Sequence, residues 1–139
     1  MQQIFRLHVE WEGLAVDLAM ESWTQEKSQQ LSHAPEQLES AAAPRDAEKY
    51  YRNDLEFHRT IWRAAENPFL LRALSQITIP LFAFVMMKVA RDPNFDLMSN
   101  AAGHRRMAEA LLSGDRTLAV EVTRESLRSF QNAGSDLRY

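Results

Sequence analysis

An all-α antiparallel bundle of about six helices is predicted, on three observations. Apolar residues recur at steps of three and four nearly throughout the chain, the spacing that gathers them on one face of a helix. Clusters of Val, Ile and Thr with a period of two, the mark of half-buried strands, are largely absent. Glycine is scarce, with four residues in all.

Each element follows from its own signal. Ile4, Leu7, Trp11, Leu14 and Leu18 form a first apolar stripe, so the chain opens already inside a helix. An uncapped opening is expected of a chain that starts partway through a longer protein. Thr24 is the N-cap of a second helix reaching roughly Ala43, which Pro35 bends or breaks. Pro44-Arg45-Asp46 reads as a tight connection to a third helix that runs to about Glu66. There Asn67-Pro68 stops it and starts a fourth, which runs toward Ala90 with a kink at Pro80. Arg91 to Asp96 is the clearest loop, Ser99 or Asn100 caps a fifth helix ending at Gly114, and Asp115 caps a sixth. Residues from Gly134 on are expected to fray. With no internal repeat and no linker, residues 1–139 read as one domain.

Composition excludes several classes of function. The chain has no cysteine, which rules out a disulfide framework, a thiolate metal site and a cysteine nucleophile, and fits a reducing cytoplasm. The longest apolar run, Ile77 to Ala90, is interrupted by Thr78, Pro80 and Lys88 and reads as too short for a membrane span. Met1 to Arg6 is largely polar, unlike a signal peptide. The formal net charge is −3 with scattered basic residues, so the chain by itself is not expected to grip nucleic acid.

Polar residues stand where core residues belong. Tyr50, Phe57, Ile61 and Ala65 form the stripe of the third helix, flanked by Tyr51 and Trp62. Asp54 and His58 lie inside that stripe one turn apart, so both side chains face inward. His104 leads the stripe of Met107, Ala108, Leu111 and Leu112, and Ser126 interrupts that of Ala119, Val122, Phe130 and Ala133. A buried carboxylate needs a partner. One carboxylate with two imidazoles is a reasonable shell for zinc, nickel, manganese or iron; the same pattern also suits a buried ion pair with a satisfied core histidine. Arg6 and Glu10, one turn apart, make a surface ion pair or offer an arginine to a ligand carboxylate, whereas His8, Glu12 and His33 read as solvated. Trp11, Trp23, Trp62, Phe82, Phe84 and the Met86-Met87 pair read as core or interface. No Glu-x-x-His pair, His-Glu-x-x-His, phosphate loop or Gly-x-Ser-x-Gly elbow is present, which disfavours the common enzyme layouts.

The stretch Tyr51-Arg-Asn-Asp54-Leu-Glu-Phe57-His58, continuing to Ala64-Ala-Glu-Asn67-Pro68, resembles the Asp-x-x-Phe-His … Ala-x-x-Asn-Pro signature of the FCD domain. That is the C-terminal effector-binding domain of FadR-type GntR regulators. His104 through Ala110, Gly114-Asp115 and Ala119 are similar to a second block of that family, and Arg6-x-x-x-Glu10, Leu14 to Ala19, Thr24 and Leu31 resemble its first two helices. The resemblance implies a cytoplasmic, non-enzymatic sensor that binds a small carboxylate effector and forms a homodimer. DNA contact would belong to an N-terminal winged helix-turn-helix that is not in this chain. It also implies metal ligands at Asp54, His58 and His104, with Ser126 where metal-binding members carry a further histidine. A divalent Zn, Ni or Mn ion would then be weakened or lost, and Arg6 and Ser126 would join in holding the ligand. A small metal-dependent helical hydrolase or isomerase, and a ligand-free interaction module, are the competing readings. Under the metal reading, Ser126→His is expected to tighten zinc or nickel binding; unchanged affinity by calorimetry would count against this geometry.

Overall fold

The computed structural model describes residues 2–135, and among them helices follow one another with short connections and no strand. The elements are α1 (Gln2–Glu21), α2 (Gln25–Leu31), α3 (Ala34–Ala42), α4 (Ala47–Ala64), α5 (Pro68–Arg91), α6 (Leu97–Leu112) and α7 (Arg116–Ser135). The expected second helix is thus two. Thr24 caps α2, its side chain accepting from the Lys27 amide at 3.2 Å. Pro35 lies in the first turn of α3, where a residue without an N–H is tolerated, so the break falls before the proline. Asp46 and Asn67 cap α4 and α5, with Asn67 Oδ1 accepting from both Phe69 and Leu70 amides. Arg45 and Glu66 take positive φ at the two connections.

Two expectations need correction at the caps and at α5. Asp96, not Ser99 or Asn100, caps α6: its carboxylate accepts from the Ser99 amide at 2.9 Å. The carboxylate wins because it stands three residues ahead of the donor it satisfies. Asp115 caps α7 as expected, accepting from the Leu118 amide at 3.0 Å after Gly114 at φ 78°. Helix α5 starts at Pro68 as expected and holds Pro80 inside it, but its 24 residues are long and apolar enough to cross a membrane by length and composition, against the reading of Ile77 to Ala90 as too short. The shorter run read from the sequence missed its first turns. In this fold α5 packs on α4 and α1 and turns Leu81, Phe82, Val85, Met86 and Val89 toward a cavity, which accounts for much of its apolar surface. The fraying expected from Gly134 meets a helix that reaches Ser135; residues 136–139 lie outside the described span.

Helix α4 is central, touching α1, α2, α3 and α5, while α6 lies between α3 and α7 and α7 closes back on α1. The stripe expected on α4 is realised: Tyr50, Phe57, Ile61 and Trp62 are buried. On α6 Met107, Ala108 and Leu111 are buried but Leu112 is 39% exposed.

On α1 the buried face is rotated from the expected one. Ile4, Leu7 and Leu14 are exposed, Trp11 and Leu18 half-buried, and the inner face is His8, Val9, Glu12, Gly13, Ala15, Val16, Ala19 and Met20. The physical reason is close approach. The Arg124 side chain of α7 lies across Gly13, where an added Cβ would stand 2.5 Å from its Nε, so this point of the α1–α7 contact takes a residue without a side chain. The outer side of this contact is closed by charge: Arg116 pairs with Asp17 and Glu21, and Arg124 and Arg128 pair with Glu10.

Candidate metal centre and its cavity

One helical turn separates Asp54 from His58 on α4, and α6 delivers His104 across from them. His104 Nε2 stands 2.7 Å and His58 Nε2 3.3 Å from the same oxygen, Asp54 Oδ1. All three side chains are buried, and each can offer one ligand atom within 4.8 Å of the other two.

The outward nitrogens decide what this cluster can hold. His104 Nδ1 lies 2.9 Å from the Asn100 carbonyl oxygen, which can only accept, so Nδ1 carries the proton. In the neutral ring Nε2 is then a lone pair pointed at a carboxylate oxygen. His58 repeats the arrangement, with Nδ1 3.2 Å from Glu12 Oε1 and Nε2 toward Asp54. Acceptors therefore face acceptors at the centre. Either extra protons or a cation must stand between them, and two imidazole nitrogens with one carboxylate oxygen form a donor set suited to a divalent ion. The Asp54, His58 and His104 group could hold a metal ion.

Glu12 and His8 overturn the expectation that they are solvated. Glu12 is wholly buried and His8 is 3% exposed. Glu12 Oε1 accepts from Trp62 Nε1 at 3.0 Å, and His8 Nε2 lies 3.2 Å from the same oxygen. Burial alone would raise the Glu12 pKa, but His58 and His8 bring it down to about 2. Burial opposes charge on His58 as well, yet the Glu12 and Asp54 carboxylates outweigh it and hold its pKa up at about 10. Asp54, raised by burial but lowered more by His104 and His58, ends well below the usual carboxylate range. The Tyr50 phenol is pushed far above its ordinary value by burial and by the Asp54 charge, so it remains a donor, and its O–H donates a hydrogen bond to Asn100 Oδ1 at 2.5 Å.

The cluster forms one wall of a cavity of about 450 Å³. Phe82, Val85 and Met86 of α5 supply an apolar wall, and Ser126 and Ser129 of α7 a polar one. Of the residues singled out in the sequence, Asp54, His58, His104 and Ser126 all line this space. Arg6 is exposed on α1 and is not among the lining residues, and its expected partner Glu10 pairs with Arg124 and Arg128 instead. The arginine that does line the cavity is Arg106, which has no hydrogen bond or ion pair among the described residues. Its Nη2 lies 3.7 Å from where a Cβ on the neighbouring lining residue Gly103 would stand.

A family model, the FCD domain, matches residues 3–129. This chain belongs to the FCD domain family. FCD domains are the regulatory parts of GntR-type transcriptional regulators, which are not enzymes. A probable D-xylose utilization operon transcriptional repressor of Paenarthrobacter nicotinovorans is 31% identical over 108 residues, covering 78% of this chain and 46% of that protein. The chain thus spans about half the length of that relative. The solved structure of E. coli McbR/YncC superposes with a TM-score of 0.86 over 99% of this chain and 68% of that one, at 20% identity, a likeness of fold. The FCD fold accounts for the helix order; the charge cluster has its own consequence for stability. The folded His58 pKa, about 10, lies above its ordinary value of 6.5, so its contribution is full below about pH 6.5 and lost as pH rises through about 10. Glu12, lowered from 4.5 to about 2, contributes above pH 4.5 and loses that contribution as pH falls toward 2. Thermal melts of chelator-treated protein are expected to fall on both sides of that plateau, and His58→Gln should flatten the alkaline limb.

Proposed function

We propose that this FCD domain is the effector-sensing and dimerisation half of a GntR-type transcriptional regulator, taking a small organic acid into its cavity through a divalent metal on Asp54, His58 and His104. The observation that carries this reading is the convergence of three ligand atoms on the wall of a cavity large enough for a small metabolite. Zinc, nickel or manganese suits the mixed nitrogen and oxygen donors. When bound, the ion supplies a Lewis-acidic anchor for a carboxylate. Ser126 stands where we expect complete members to carry another histidine, and a hydroxyl there leaves the ion more open and more weakly held.

The chain's own residues do the rest. Asn100 and Glu12 support the outer nitrogens of the two imidazoles, Tyr50 holds Asn100 in place, and the α5 wall keeps water away from the acid's carbon skeleton. Arg106 offers a free guanidinium to the acid, in place of Arg6, and Ser126 and Ser129 add hydroxyls. Because the acid touches α5, α6 and α7 at once, it favours the packing in which those walls are closed, and that preference is what a regulator transmits. Dimerisation and DNA contact belong to the whole protein, with DNA read by a domain outside this chain, consistent with the net charge of −3 here.

A hydrolase would need a base that reaches a ligand in the cavity. Glu12 lies behind His58 and is not a lining residue, and the lining carboxylates Asp92 and Asp96 are engaged by the Asn94 and Ser99 amides, so the binding reading is favoured. Elemental analysis of protein purified without chelator or affinity nickel is expected to find near-stoichiometric metal, lost in Asp54→Ala. Metal in neither protein removes the metal from the proposal and leaves the acid to the histidines and Arg106. Calorimetry with a panel of small carboxylates is expected to give a dissociation constant roughly ten- to a hundredfold weaker for Arg106→Ala, the size of one charged hydrogen bond, with metal content unchanged. Equal affinity in the two proteins would remove Arg106 from the site.

A further inference from the structure

The first helix contributes a charge to the centre that the three ligands do not explain. Glu12 is 0% exposed, and its Oε1 is approached by three groups from two helices: Trp62 Nε1 at 3.0 Å, His8 Nε2 at 3.2 Å and His58 Nδ1 at 3.2 Å. Its other oxygen, Oε2, has no hydrogen-bond partner, and the His58 Nδ1 contact is too poorly aligned to count as one, so His58 Nδ1 is also unsatisfied. A buried acceptor and a buried donor stand next to each other with neither satisfied. Such a pair is costly unless it closes. Trp62 and His8 need only a neutral acceptor, which a glutamine would provide; the full charge is required by neither.

We infer that Glu12 is a positioning residue for the metal centre, holding the proton of His58 on Nδ1 so that Nε2 is presented to a divalent cation. The inference rests on the metal reading above. A ligating imidazole that donates its second nitrogen to a carboxylate is fixed in tautomer and orientation, and becomes a stronger ligand. Each imidazole here has a backing acceptor of its own, the Asn100 carbonyl for His104 and the Glu12 carboxylate for His58. The two differ in kind. His104 is backed by a neutral carbonyl within its own helix, while His58 is backed by a charge from a different one. Together Glu12 and Asp54 bring two negative charges to the centre, matching a divalent ion. The metal would thereby tie α1 to α4 and α6 although α1 provides no ligand.

The test compares zinc binding by calorimetry in wild type and Glu12→Gln, which keeps shape and the acceptor for Trp62. The expected result is a dissociation constant about ten- to a hundredfold weaker in the variant, read separately from the drop in metal-free melting temperature that loss of the buried charge brings by itself. A packing role would lower that melting temperature and leave the zinc affinity alone. Nitrogen-15 spectra of the zinc-loaded wild type supply a second readout that needs no variant: His58 should be metal-bound at Nε2 with a protected, hydrogen-bonded Nδ1 proton. Equal zinc affinity in both proteins, or metal on His58 Nδ1, would overturn the assignment while leaving the metal reading intact. No zinc uptake by wild type would overturn both.

Discussion

Two carboxylates, Glu12 and Asp54, are buried in one bundle, and neither can stay ionised there without positive charge beside it. His58 of α4, standing between the two carboxylates, supplies it, and His104 of α6 adds a hydrogen bond to Asp54. That requirement fixes more than a site. His58 must keep both carboxylates in reach, so α1 and α4 are held at one rotation relative to each other. His104 must face Asp54, which sets α6 against α4 although these helices otherwise meet chiefly through α3. The rotation of α1 that leaves Ile4, Leu7 and Leu14 exposed follows from the same demand, because turning them inward would carry Glu12 and His8 out.

The rest of the bundle is arranged around the space this cluster leaves. Helix α7 cannot fill it, since α7 is drawn onto the small residues of α1 and fastened there by Arg116 and Arg124 on the outer edge. Helix α5 covers the other side with flexible and aromatic side chains, Met86 and Phe82 among them, which adapt to a guest more readily than branched ones. The loop after α5 is held by Arg45, which donates to the Asp92 and Phe95 carbonyls, so the cavity wall at Asp92 to Asp96 is tied to the connection between α3 and α4.

How much of this could be read from the sequence depends on how strongly each helix contrasts its faces. On α4 and α6 dense apolar periodicity made Asp54, His58 and His104 conspicuous as interruptions. The bundle, its caps at Thr24 and Asp115 and the Asn67-Pro68 junction were legible for the same reason: local rules and tertiary outcome agree there. Helix α1 has apolar residues on both sides, and pattern favours large ones, whereas packing favoured Gly13, Ala15 and Ala19. His8 and Glu12 have the same four-residue spacing as Asp54 and His58, which is the available signal, but the larger apolar residues of α1 mark the opposite face. Arg106 was illegible in principle. It adjoins Arg105, which α3 engages through Glu39 and Glu36, and only that tertiary pairing leaves one arginine spent and the other free.

The energetics weigh against a purely structural reading of the cluster. Burying two carboxylates with two imidazoles adds little net stability, since desolvation offsets most of the attraction, and apolar residues of similar volume in such places are often as stable or more so by about 1–4 kcal/mol. The centre here is not even a finished network: Glu12 Oε2 and His58 Nδ1 lack hydrogen-bond partners, and both imidazole Nε2 atoms crowd one oxygen of Asp54. Incomplete polar networks are worse for a scaffold than none. They make sense where a further group completes them. A divalent cation would satisfy the converging atoms on the inner side and leave each imidazole its outward partner, turning an arrangement that costs stability into one that binds. The cavity beside it, with its apolar wall and unpaired arginine, extends the same logic from ion to acid.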